Sequence, residues 1–125
     1  MSDPAGPTYR FGWDSKLRKT DEFSSVFRFK RVFRGAGLDL HVAPNGLGMA
    51  RLGLIVPKKI WPNAVDRNRV KRIAREVFRL GQDDWAGLDM IVRVKARGQA
   101  TEFRHECEQL MRASRRILNA VEKNG

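Results

Sequence analysis

Residues 67–76 read RNRVKRIARE, and the chain around them must fold to suit two opposed faces. Val70, Ile73 and Ala74, continued by Val77 and Phe78, recur at the i, i+3, i+4, i+7 and i+8 spacing of one buried helix face. At about 100° per residue, Asn68, Lys71, Arg72, Arg75 and Arg79 fall on the opposite side. Arg67 and Arg69 stand nearer the borders of the stripe, at its N-terminal end. The ten residues carry five cations and one acid, Glu76. A merely solvated helix face usually mixes signs so that i,i+4 pairs form. This one is nearly all positive, the footprint expected where a helix meets nucleic acid.

The 125 residues suffice for one domain with a core that needs no staples. A formal net charge of +11 points to a polyanionic partner. The charge is concentrated: residues 51–80 hold nine Lys/Arg against Asp66 and Glu76, whereas residues 81–125 hold eight against seven acids. The single Cys107 excludes an intramolecular disulfide, and its place on an apolar helical stripe makes it a core thiol. No apolar run approaches 18 residues and no signal-peptide core is present, so neither a membrane span nor export is expected, and the cytoplasm is the default location.

Working outward, Pro62 precedes the basic helix, Asn63 is its expected N-cap, Asp66 sits where a capping-box acid would, and Gly81 fits the closing C′ position. Upstream, Leu52, Leu54 and Val56 share one face of a strand that Pro57 ends, with Lys58 and Lys59 at its exit. Leu38, Leu40 and Val42 alternate with Asp39, His41 and Ala43 in a preceding strand, and Pro44-Asn45-Gly46 begins the connection between the two. Thr20 is the expected N-cap of a first helix with Phe23, Val26 and Phe27 on one side, after which Phe29, Val32 and Phe33 drift toward extended structure before Gly35-Ala36-Gly37. Leu88–Val94 reads as a central strand, and a last helix opens at Thr101-Glu102 with a stripe running from Phe103 to Val121. The expected class is α+β, helices over one sheet, with residues 1–13 as a flexible arm and residues 14–125 as a single nucleic-acid-binding domain.

Enzyme chemistry is poorly represented. His41 and His105 are the only histidines, without metal-ligand spacing or a nucleophile elbow, and Gly35-Ala36-Gly37 lacks the residues of a phosphate loop. No catalytic residue and no protein-held metal are expected. The first helix carries more: Phe23 and Phe27 lie one turn apart, near Arg28, Lys30, Arg31 and Arg34. Flat rings beside cations are what single-stranded nucleic acid requires, although one of the two rings is expected to serve the core.

Taken together, RNRVKRIARE, the exit at Val56, Lys58 and Lys59, the segment DEFSSVF at 21–27 and the strand Asp89-Met90-Ile91-Val92 resemble the protein component of bacterial ribonuclease P. The resemblance runs from about Lys16 to Val121. It implies an αβββαβα two-layer sandwich whose basic helix lies in a left-handed βαβ crossover, against the usual right hand. It also implies partnership with a catalytic RNA that removes the 5′ leader of precursor tRNA, using magnesium bound mainly by RNA, while the isolated protein is inactive. By position, Lys58, Lys59, Arg67, Asn68, Arg69, Lys71, Arg72 and Arg75 would meet the RNA subunit. Phe23, Phe27 and His41 would line the leader cleft, where the family often has tyrosine in place of His41; a histidine can still stack there and is able to gain charge at mildly acidic pH.

Two other readings compete. A DNA-binding helix-turn-helix would use Arg67, Asn68 and Arg69 on base edges, but the sequence upstream offers a strand, Pro57 and Pro62 instead of a helix. A ribosomal or RNA-assembly protein fits the composition, and only the ordered set of motifs argues against it.

Overall fold

The computed structural model describes the backbone of residues 16–124 and the side chains of residues 16–117, so the expected arm at 1–13 lies outside the described residues. The elements are α1 (Thr20–Phe29), β1 (Arg31–Arg34), β2 (Leu38–Pro44), β3 (Arg51–Ile55), α2 (Ala64–Leu80), β4 (Leu88–Val94) and α3 (Ala100–Asn124). This is the expected α+β order. The sheet runs β1-β2-β4-β3, antiparallel except for the parallel β3–β4 pair.

β4 therefore lies between β2 and β3, and the Asn45-Gly46 connection is no hairpin. It is an Asn-closed turn: Asn45 Oδ1 accepts the Leu47 N–H at 2.8 Å, its Nδ2 donates to the Met49 carbonyl at 3.0 Å, and Gly46 takes φ +70°. β3, α2 and β4 form a parallel βαβ unit.

Register divides the sheet into two faces, because directly opposed residues point the same way. Leu38, Leu40 and Val42 share one face with Val94, Val92 and Met90, and with Leu52 and Leu54 of β3. Against it pack Val70, Ile73, Ala74, Val77 and Phe78 of α2, all buried as the stripe required, and Phe103, Cys107, Met111 and Ile117 of α3. Burial pushes the Cys107 thiol up to about 12, which keeps it protonated and inert. Leu118 and Val121 of the expected α3 stripe fall beyond the described side chains. The other face holds a smaller cluster of Leu17, Val26, Ala43 and Ile91, with Phe23, Phe27 and Ile55 partly buried around it, so α1 occupies the side of the sheet away from α2 and α3.

The helix ends differ in detail from their sequence reading. Thr20 is the first helical residue rather than the cap; Glu22 reaches back so that its Oε1 accepts the N–H groups of Arg18 (2.8 Å) and Lys19 (3.1 Å). Those two bonds hold the Glu22 carboxyl below its ordinary range. Asn63 does cap α2, accepting the Val65 N–H at 2.8 Å, but Asp66 completes no capping box. Gly81 closes α2 at φ −110°, outside the left-handed region; a glycine is needed because a Cβ there would overlap the Trp85 ring.

Gly35-Ala36-Gly37 does bind an anion, one that the chain itself supplies. The Glu106 carboxylate accepts N–H groups from Ala36 (2.7 Å), Gly37 (2.9 Å) and Leu38 (3.1 Å), and a Cβ on Gly35 would strike its Cδ at 2.5 Å.

Candidate RNA-binding surface

α1 sets two rings over the sheet in different ways. Phe23 lies against the backbone of β3, where a Cβ on Gly53 would approach its Cζ to 2.7 Å. That ring is the one committed to packing. Phe27 meets His41 of β2 edge to face, with centroids 4.8 Å apart and planes at 74°. Both rings remain partly exposed, so both leave π-surface to solvent. His41 Nε2 is buried and hydrogen-bonds no described residue. Burial lowers the imidazole pKa; Asp39 opposes the shift, while Arg93 and Arg34 add to it. The shift moves the charging of His41 to lower pH than that of an ordinary imidazole.

Register carries the surface beyond these three side chains. Val32, His41, Ile91 and Gly53 form one row across the sheet under α1. The next row is Arg34, Asp39, Arg93 and Ile55. Asp39 is buried and receives Arg34 Nη1 at 3.2 Å and Lys95 Nζ at 2.8 Å, while Arg93 is exposed. The strip beside His41 is thus cationic in balance. Sequence reading passed over Arg93, although the one cation in the run LDMIVRV was a signal for it.

A network beneath α1 also escaped the sequence. Arg51 donates from Nε and Nη2 to the two carboxylate oxygens of Asp89, at 2.8 and 2.7 Å, and from Nη1 to Glu22 at 3.0 Å. It ties α1 to β3 and β4, and the hydrogen bonds it donates to Asp89 foremost raise its pKa further.

On α2, Asn68, Arg69, Arg72 and Arg75 are exposed and Lys71 partly so. Arg67 is half-buried, and its Nη1 donates to the carbonyls of Trp61 and Pro62 at 2.8 Å each, so part of this guanidinium braces the loop before the helix. Arg97 braces the same loop from the other side, donating to the Ile60 carbonyl at 2.7 Å and lying over the Trp61 ring at 5.6 Å. Lys58 and Lys59 are exposed on the turn that this loop forms. A cavity of about 170 Å³ joins the two regions, lined by Lys16, Arg18, Phe23 and Gly53 on one side and by Lys71 and Arg75 of α2 on the other. Every predicted contact residue except the pair Lys58 and Lys59 is therefore on α2 or on the α1-covered face, and Phe23 is where the two meet.

This is an α+β scaffold that exposes rings and cations along one continuous path, the class of surface that single-stranded RNA fits. The family model described as Ribonuclease P matches residues 11–124, and the chain belongs to that family. The ribonuclease P protein component of Azoarcus sp. (strain BH72) is 52% identical over 96 residues, covering 77% of this chain and 80% of that protein. The corresponding protein of Ralstonia pickettii (strain 12J) is 39% identical over 116 residues, 85% of this chain and 83% of its own. The RNase P protein of Staphylococcus aureus shares the fold at a TM-score of 0.73 and 22% identity, covering 80% of this chain and 94% of its own. That of Thermotoga maritima does so at 0.69 and 24%, covering 78% and 96%.

Proposed function

We propose that this chain is the protein subunit of a bacterial ribonuclease P, binding the catalytic RNA with the exposed face of α2 and the single-stranded 5′ leader of precursor tRNA with the α1–β2 surface. The observation that carries the reading is the junction at Phe23, where the ring-bearing surface runs into Lys71 and Arg75 of the basic helix. A leader held on one side and an RNA subunit on the other would meet at the scissile phosphodiester. In this reading α2 positions the RNA subunit, with Lys58 and Lys59 extending its patch, while Phe27 and His41 stack leader bases and Arg93 neutralises phosphate. Water attacks the phosphodiester in a site built by RNA, leaving a 5′-phosphate on the tRNA. Magnesium supplies charge neutralisation and activated water there. In this reading the RNA holds the metal.

The DNA-reader alternative has no support in the architecture, since α2 is preceded by a braced loop and a strand, not a helix. No helix among the described residues is long and apolar enough to cross a membrane, and a cytoplasmic location agrees with the proposed substrates.

The decisive experiment reconstitutes the chain with a bacterial ribonuclease P RNA and follows precursor-tRNA cleavage against magnesium concentration. The protein should shift cleavage to lower magnesium and favour precursor over mature tRNA in binding. A protein that binds the RNA subunit yet changes neither property is an assembly protein, and the reading fails.

A further inference from the structure

The end of α1 breaks two rules at once. Phe29 is 48% exposed on a helix whose other large apolar side chains turn to the sheet. Lys30, which follows it, sits in the left-handed region at φ 60° and ψ 33°, the sole non-glycine residue with positive φ among those described. Glycine is the residue this conformation favours. A side chain retained at such a position points to a use for that side chain.

The surroundings show which use. Arg28, Lys30 and Arg31 are all exposed, and among the described residues no carboxylate pairs with any of them. A ring with a free face amid unpaired cations suits a base and its flanking phosphates. Position adds direction. The Phe23 end of α1 adjoins α2, while the Phe29 end leads into β1 at the opposite edge of the sheet from β3. A strand entering beside Lys71 and Arg75 and passing His41 therefore leaves across this corner.

We propose that Phe29, Lys30 and Arg31, with Arg28, form a second binding site for single-stranded RNA, taking the part of the leader farther from the cleavage point. The proposal rests on the leader reading above and adds to it a dependence on leader length. Phe29 stacks a base, and the three cations neutralise the phosphates on either side.

The test uses the reconstituted holoenzyme and precursor tRNAs whose leaders are trimmed one nucleotide at a time. With the unaltered protein, affinity should rise in two steps as the leader lengthens, the second by about tenfold, as expected for one stacked base. Phe29→Ala and Lys30→Gly should each remove most of the second step and leave the first intact. Lys30→Gly separates contact from folding, because it relieves the left-handed strain: thermal stability should hold or rise while long-leader affinity falls. A second step that survives both substitutions, or no second step in the unaltered protein, overturns the proposal and leaves the leader reading in place. Equal loss for short and long leaders overturns it too, since the corner would then belong to the first site. Absence of the first step as well would sink the parent reading.

Discussion

At the scale of single residues, Phe27 and His41 carry the most specific expectations. Phe27→Ala should weaken precursor-tRNA binding by roughly 1–3 kcal/mol, the range for one stacked base. Mature tRNA, lacking a leader, should bind almost unchanged. Both affinities must come from one holoenzyme preparation; equal losses would make the ring a packing or subunit contact. Phe23→Ala should act on stability first, because its ring rests on the Gly53 backbone. His41 links folding to pH. Its folded pKa lies below the ordinary 6.5, so above that value both states are neutral and its contribution is complete. As pH falls below 6.5 the unfolded chain takes up the proton first, and stability declines until the folded pKa is reached. His41→Gln should flatten that part of the curve in chemical-denaturation measurements at closely spaced pH values. An unchanged slope would show that His41 does not titrate differently in the two states.

At the scale of elements, α2 divides its labour between packing and charge. Arg69→Ala, Arg72→Ala and Arg75→Ala combined should reduce the salt dependence of RNA-subunit binding by about 0.7–0.9 per lost phosphate contact. Folding should survive, since the three side chains are exposed. Normal binding at moderate salt would reduce the face to a solvated one. Arg67 is a poorer choice for this purpose, because its Nη1 also holds the Trp61 and Pro62 carbonyls. α1 is held from beneath by Val26, 1% exposed, and by the Arg51 network. Arg51→Ala strips the counter-charge from Asp89, which is 5% exposed, and should cost about 3 kcal/mol in urea unfolding. A loss under about 1 kcal/mol would mean that water replaces the guanidinium without penalty.

At the scale of the whole molecule, a sheet with α1 on one face and α2 and α3 on the other brings the two surfaces together beside β3, where Phe23 meets Lys71 and Arg75. The reading proposed above leaves the chemistry to RNA and gives this chain a binding role. Protein freed of RNA and of contaminating nucleases should therefore show no cleavage of precursor tRNA at any magnesium concentration. Activity that co-purifies with the chain and disappears in a folded variant would transfer the chemistry to protein.

How much of this was legible beforehand follows from which interactions are local. The α2 stripe, Asn63 as its cap, the buried run of β4 and the order of elements depend on periodicity and near-neighbour bonding, and all stood in the sequence. So did Phe23, Phe27 and the basic side of α2, since helical spacing alone groups them. The insertion of β4 between β2 and β3 was not legible, because strand order is a long-range choice that leaves each strand's pattern unchanged. From it follow the row that sets Arg93 beside Asp39, the capture of Asp89 by Arg51, and the cavity joining Phe23 to Lys71. Glu106 in the Gly35–Gly37 turn is the same case, its partners lying 68 to 70 residues away. By itself the sequence determined the elements, their buried faces and the sign of the partner's charge, because those are properties of a residue and its near neighbours. The tertiary structure alone decided which rings keep a free face and which cations stand beside them, because burial and pairing are settled only when distant segments meet.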